Sequence, residues 1–167
     1  MKKFLNWYCG YIFLTFLLIL SLFFIPCLCL VGEGQLIAAA PAIPGTRFAI
    51  CFIHSVQKTP VRENLCLEDN GFRLDSTEYK SFGVGLPFLE SEGAFRREGE
   101  FFIMDHMDRH FEQLSLRTGV GTELRVLLNG REYHLYEMFP PGTRIDILTV
   151  PFYKVLYLMC DKSSANL

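Results

Sequence analysis

Apolar and polar positions divide the chain into two unlike parts. Phe4 to Ile25 is almost wholly apolar, and no charged side chain stands between Lys3 and Glu33. A helix needs about 20 apolar residues to span a bilayer. This run supplies them, with Trp7, Tyr8 and Tyr11 placed for one interface and Pro26 as a stop. After it the pattern breaks into short, alternating runs separated by Gly, Pro, Asn and Asp. Cys27–Val31 and Gln35–Ala40 read as a hairpin around Gly32-Glu33-Gly34. Arg47–Ile53 alternates two apolar faces and reads as a central strand, buried on both sides. It runs into a polar cluster and returns as Val61–Glu68. With that loop centred on Lys58-Thr59, His54 is expected opposite Glu63 and Cys51 opposite Cys66. Asp69-Asn70-Gly71 turns the chain into Phe72–Tyr79.

The second half is read the same way. Ser81–Leu89 is punctuated by Gly and Pro and is expected to be irregular, either a buried crossing loop or a lip whose Phe82, Leu86 and Phe88 meet a partner. Glu100–Met104 reads as a short strand and Asp105–Phe111 as a short helical turn. Gln113–Thr118 and Thr122–Leu128 read as strands, and Asn129-Gly130 as a two-residue hairpin turn into Arg131–Tyr136. Arg144–Val150 and Phe152–Met159 complete the set as strands broken by Pro151. Nine or more short strands predict an all-β domain, an antiparallel sandwich or partly open barrel over residues 27–160. One transmembrane helix over residues 1–26 precedes it, and residues 161–167 form a frayed tail.

Charge and compartment refine this picture. Lys2 and Lys3 precede the apolar run, which favours an N-terminus in the cytoplasm and a domain outside it. Of the 16 basic residues, 14 remain beyond the run against 18 acids, a net of −4 with no basic stripe, which argues against nucleic acid as a partner. A cleaved signal peptide competes with a retained anchor. Its apolar core would be shorter, the one Ala-x-Ala site is Ala38-Ala39-Ala40, and Phe24-Ile25-Pro26 is a poor lead-in to a lipidated Cys27, so the retained anchor is preferred.

The candidate chemistry is thin. His106 and His110 are four apart, but no third ligand is placed by spacing, and a solvated turn is the simpler reading; no metal or cofactor is expected. His54-Ser55 suggests a base and a nucleophile, yet adjacent strand residues point to opposite faces and no Gly-x-Ser-x-Gly elbow exists. A structural His54, bonded to Glu63 or to loop backbone, is the default, and no enzyme is expected. The six cysteines show no even framework; Cys51–Cys66 is one conceivable bridge, with two free thiols preferred.

Two stretches, RFAICFIHSVQKTPV and EYKSFGVGLPFLESEG, resemble a bacterial family, domain of unknown function 1850 (DUF1850). RHFEQLSLRTG and LRVLLNGREYHL extend the resemblance from about Val31 to Leu148. The resemblance implies a small exported or membrane-tethered protein that accompanies TAXI-type TRAP importers, whose fused permease and solute-binding protein are the implied partners. It carries over no catalytic residue. It marks a motif surface of His54, Ser55, Lys58, Thr59, Pro60, Ser81, Phe82, Gly83, Gly85 and Pro87. The expected location is the bacterial inner membrane, single pass, with the domain in the periplasm or outside, close enough to the bilayer to meet a permease at high effective concentration. The expected role is a non-enzymatic accessory subunit. The alternatives are a stand-alone ligand-binding module, with Lys58 or Arg117 meeting an anion, and a hydrolase using His54.

Overall fold

A computed structural model describes residues 2–161, without the side chains of residues 2–7, 9, 90 and 161. The expected roles of Lys2, Lys3, Trp7 and Cys9, and the tail after Asp161, lie outside the described residues. Helix α1 covers Lys2–Leu22, where the apolar run stands. Among the described residues no helix is long and apolar enough to cross a membrane. The helix expected over residues 1–26 is therefore met as a helix that ends at Leu22.

Beyond α1, eleven strands form two antiparallel sheets, consistent with the expected all-β sandwich. The smaller sheet has the order β2-β1-β11-β8, from β1 (Pro26–Gly32), β2 (Gln35–Pro41), β8 (Leu114–Arg117) and β11 (Arg144–Pro151). The larger has the order β10-β9-β3-β4-β5-β7-β6. Its strands are β3 (Arg47–Ile53), β4 (Pro60–Glu68), β5 (Gly71–Tyr79), β6 (Ala94–Glu98), β7 (Phe101–Phe111), β9 (Arg125–Leu128) and β10 (Arg131–His134). Alternation sends Leu28, Leu30, Ile145 and Ile147 from one sheet against Phe48, Ile50, Leu65 and Val126 from the other, and these form one buried core.

Strand β1 is apolar on both faces because both are covered. Leu28 and Leu30 enter the sandwich, while Cys27, Cys29 and Val31 pack outward against Val155 of helix α3 (Phe152–Asp161). That helix replaces the strand expected over Phe152–Met159. Pro151 pairs with Pro26 at the end of the sheet, and the chain turns over the sheet with Val155 and Leu158 inward. An apolar run of this length fits either period, and the face of β1 that the larger sheet does not cover decides between them.

Three other expectations change. Asp105–Phe111 is not a helical turn but the larger, C-terminal part of β7, which runs beside β5. His106 (φ 55°) and Asp108 (φ 49°) adopt left-handed backbone there, so a bulge takes up the extra residues and Met107 still reaches the core. The strand after Asn129-Gly130 stops at His134 and gives way to a single helical turn, α2 (Leu135–Met138). Strand β3 lies centrally as expected, but its second face is covered only at Ala49; Cys51 and Ile53 are half-buried.

The register also corrects the expected pairing. Cys51 stands opposite Arg62, Cys66 opposite Arg47, and Glu63 opposite Ile50, not His54. The loop is centred near Val56-Gln57 because His54 folds back on it. The bridge Cys51–Cys66 is not formed, and all five described cysteines are free.

The two ends of the sandwich differ. Helix α1, the start of β1 and the end of β11 meet at one end, where the Phe152 and Tyr153 amides donate to the Ile25 and Phe23 carbonyls. Residues 42–46 carry the chain from there to the start of β3, and Ala42 N–H donates back to the Pro26 carbonyl. The finish of β3 is tied to the other end: Ile53 N–H donates to Thr122 O, and Thr118 N–H to Thr143 O beside the start of β11. The loops after β3 and β5 thus lie at the end of the sandwich remote from α1.

Candidate functional site

The loop His54–Thr59 is closed by its first residue. The Lys58 amide donates to the His54 carbonyl and the His54 amide to the Thr59 carbonyl, with Lys58 in left-handed backbone (φ 55°). The His54 side chain is 6 % exposed. Its Nδ1 accepts from the Val56 and Gln57 amides, both at 3.2 Å, and its Nε2 lies 3.1 Å from the Val84 carbonyl. Two N–H groups at Nδ1 and a carbonyl at Nε2 admit one neutral tautomer, with the proton on Nε2.

Val84 belongs to the second motif, so the ring joins two loops that are thirty residues apart in sequence. Gly83 leaves little room beneath it: a Cβ there would lie 3.0 Å from the ring's Cε1 and Nε2. Thr59 and Ser81 add a second link, their hydroxyls 3.1 Å apart. The Tyr79 hydroxyl, fully buried, donates to the Pro87 carbonyl, and Leu86 packs with Tyr79 and Val61. Burial pushes the Tyr79 phenol up, with Glu92 adding to the shift. Glu92 fastens the loop's far end by accepting from the Phe88 and Leu89 amides. Those donors hold its carboxyl below the usual glutamate range.

The motif residues therefore divide into a frame and a surface. His54, Thr59, Ser81 and Gly83 are frame, with Pro60 opening β4 and Pro87 buried at Tyr79. Phe82 leans on Phe102 at a centroid distance of 4.4 Å, with Tyr79 and Phe95 beside it. Ser55, Lys58 and Gly85 are exposed. Around them stand Val84, Val56 and Phe88, exposed by 90 %, 69 % and 64 %. Leu86 is buried and leaves the lip expected from the sequence. Arg117 is not part of this group; it stands on edge strand β8 and donates to the Gly142 carbonyl at 3.0 Å.

Chemically, the site is a backbone-bonded loop pair. Both His54 nitrogens are occupied by main chain, and Ser55 makes no hydrogen bond to the ring among the described residues. His106 and His110 do not converge either: His110 faces Glu68 and Asp108, and His106 is exposed. Sequence reasoning misses Tyr79 and Glu92, and reads Gln57 only as a member of the polar cluster after β3. The signal for Tyr79 is an aromatic closing an alternating strand just before a Gly/Pro loop, where a buried hydroxyl finds a carbonyl.

A family model described as "Domain of unknown function (DUF1850)" matches residues 48–135, which hold both motif loops and more than half of the chain. Neither the curated proteins nor the solved structures contain a match. The stretch from β3 to the start of α2, with the two loops that His54 joins, is thus the part that the family shares, and the chain belongs to the DUF1850 family.

Proposed function

We propose that this is a non-enzymatic, membrane-tethered accessory protein whose paired loops dock a partner of the same membrane. The observation that carries this reading is the use of His54. A base needs a free ring nitrogen aimed at a substrate; here both nitrogens build loop structure. The outcome of that construction is an exposed apolar platform of Val56, Val84 and Phe88 beside Lys58, the kind of patch that marks an interaction surface.

Tethering is supported by α1, whose described side chains from Tyr11 to Leu22 are apolar and exposed apart from Thr15 and Ser21. A bilayer would cover them. Retention of the helix is supported by β1 and β2. Cleavage after Ala40 would remove the doubly buried centre of the smaller sheet. Lys2 and Lys3 favour an N-terminus in the cytoplasm and the domain outside it. The family resemblance supports a TAXI-type TRAP permease and its solute-binding protein as partners.

The test is a tagged full-length pull-down from gently solubilised membranes of the native host, with Val84→Asp and Phe88→Asp alongside. A multi-span permease recovered in constant ratio with the wild type and lost with both variants is the expected result. A protein that stays partnerless after cross-linking would refute the docking role.

A further inference from the structure

The outer face of the larger sheet carries a trough of about 750 Å3, within the size range of small-molecule sites. Register explains it. Leu127, Ala49, Asn64, Ser76 and Asp105 are successive cross-strand partners and form one row across β9, β3, β4, β5 and β7. Ala49 and Ser76 are small, and bulges interrupt β4–β5 and β5–β7 beside them, so the row sinks below its neighbours. Arg47 and Arg73 rise on one side of it and Arg62 on the other.

The charges do not cancel. Arg73 pairs with Asp75 and Glu68, and Asp105 with Arg96. Arg62 donates to Asn64 Oδ1 at 2.9 Å and faces no carboxylate within ion-pair distance, while Arg47 has no hydrogen bond or ion pair among the described residues. Asn64 is itself fixed, its amide donating to Ser76 and Glu78. Two guanidinium groups with no carboxylate within ion-pair distance, Arg62 having Glu78 opposite it on β5, therefore flank a pinned polar floor. They stand two residues to either side of the Ala49–Asn64 row, roughly 13 Å apart along the strands, a gap that both side chains reach into.

We propose that this trough binds a small organic dianion, with Arg47 and Arg62 each taking one carboxylate. Planar guanidinium suits bidentate carboxylate, and two such ends held apart select a dicarboxylate over a single acid. The site is separate from the motif loops, which lie at the strand ends, and it stands whether or not those loops dock a partner. Lys58 and Arg117 do not line it.

The test is a titration of the isotopically labelled full chain in detergent micelles with succinate, glutarate and adipate, read by amide NMR shifts. Butyrate, neutral succinamide and a tetraglutamate peptide serve as comparisons at matched ionic strength. Saturable shifts at Ala49, Asn64 and Ser76 with a dicarboxylate are expected. Arg47→Ser and Arg62→Ser should each weaken them roughly tenfold or more, as loss of a charge-assisted pair implies, while Arg131→Ser leaves them unchanged. Equal binding by butyrate, indifference to Arg47 and Arg62, shifts with the peptide alone, or no saturation by about 10 mM would each overturn the proposal.

Discussion

His54 shows how one side chain sets a local structure. Its ring satisfies two amides of its own loop and one carbonyl of another. His54→Ala strands those groups and should cost about 1–3 kcal/mol, measured by urea denaturation. Gly83→Ala should also destabilise, by pressing a methyl on the ring. The two effects should not add, because removing the ring removes the clash; additivity to within about 0.5 kcal/mol would refute the contact. Glu63 makes a pH prediction. It lies on β4 between Ile50 and Thr77, where burial pushes its carboxyl above the usual glutamate range against the opposing effect of Arg109. The folded state thus holds the proton more tightly than the unfolded chain, whose glutamate titrates near about 4.3. Native stability falls as pH rises from that value through the raised folded one, and the loss is complete above it. Glu63→Gln removes this titration, so its stability relative to wild type should improve between pH 4 and pH 7; a constant difference would sink the assignment.

At the scale of elements, alternation and turn chemistry are largely legible. The Asn129-Gly130 hairpin has left-handed backbone at both residues (φ 51° and 74°), as a tight turn between twisted strands needs. The hairpins of β1–β2 and β4–β5 stand where the turn residues place them. Register is not legible across the His54 loop, since side-chain bonding inside the loop shifts its centre and with it every cross-strand pair. Helix α3 reads as a strand because a short, mostly apolar run rich in Phe, Tyr and Val fits strand and helix alike. Its role can be tested through the thiols beneath it. Cys27 and Cys29 are buried by Val155, and burial pushes the Cys29 thiol up to about 11, with Cys27 beside it adding to the shift. Maleimide at neutral pH should label exposed Cys160 quickly and Cys29 only after unfolding, because the thiolate is the reactive form. Val155→Asp should open the cover and speed Cys29. Native Cys29 labelling as fast as Cys160 would contradict the packing.

For the whole molecule, the placement of the ends matters most. A domain that continues directly from its helix is expected to offer its motifs close to the bilayer. The seven-residue strand β3 instead carries them roughly 20 Å from the α1 junction. Ile43, exposed in the loop before β3, marks the near end and Val84 the far one. With α1 seated in a bilayer as proposed, a fluorophore on Ile43→Cys should be quenched in liposomes with brominated lipid and one on Val84→Cys should not; quenching at neither position would refute the tether. Quenching at both positions would show the sandwich lying flat on the membrane.

Local sequence suffices for the apolar leading segment, the all-β character of the remainder, most turns and the two motif stretches, because these depend on alternation and on residues with special backbone freedom. Three features needed the assembled fold: that His54 joins the two motifs, that α3 is a helix, and that Ala49, Asn64 and Ser76 align as the floor of a trough between Arg47 and Arg62. Each depends on which residues face one another across strands. That is settled by burying both faces of β1 and bonding the His54, Val56, Gln57 and Lys58 amides together, a balance no single stretch of sequence contains.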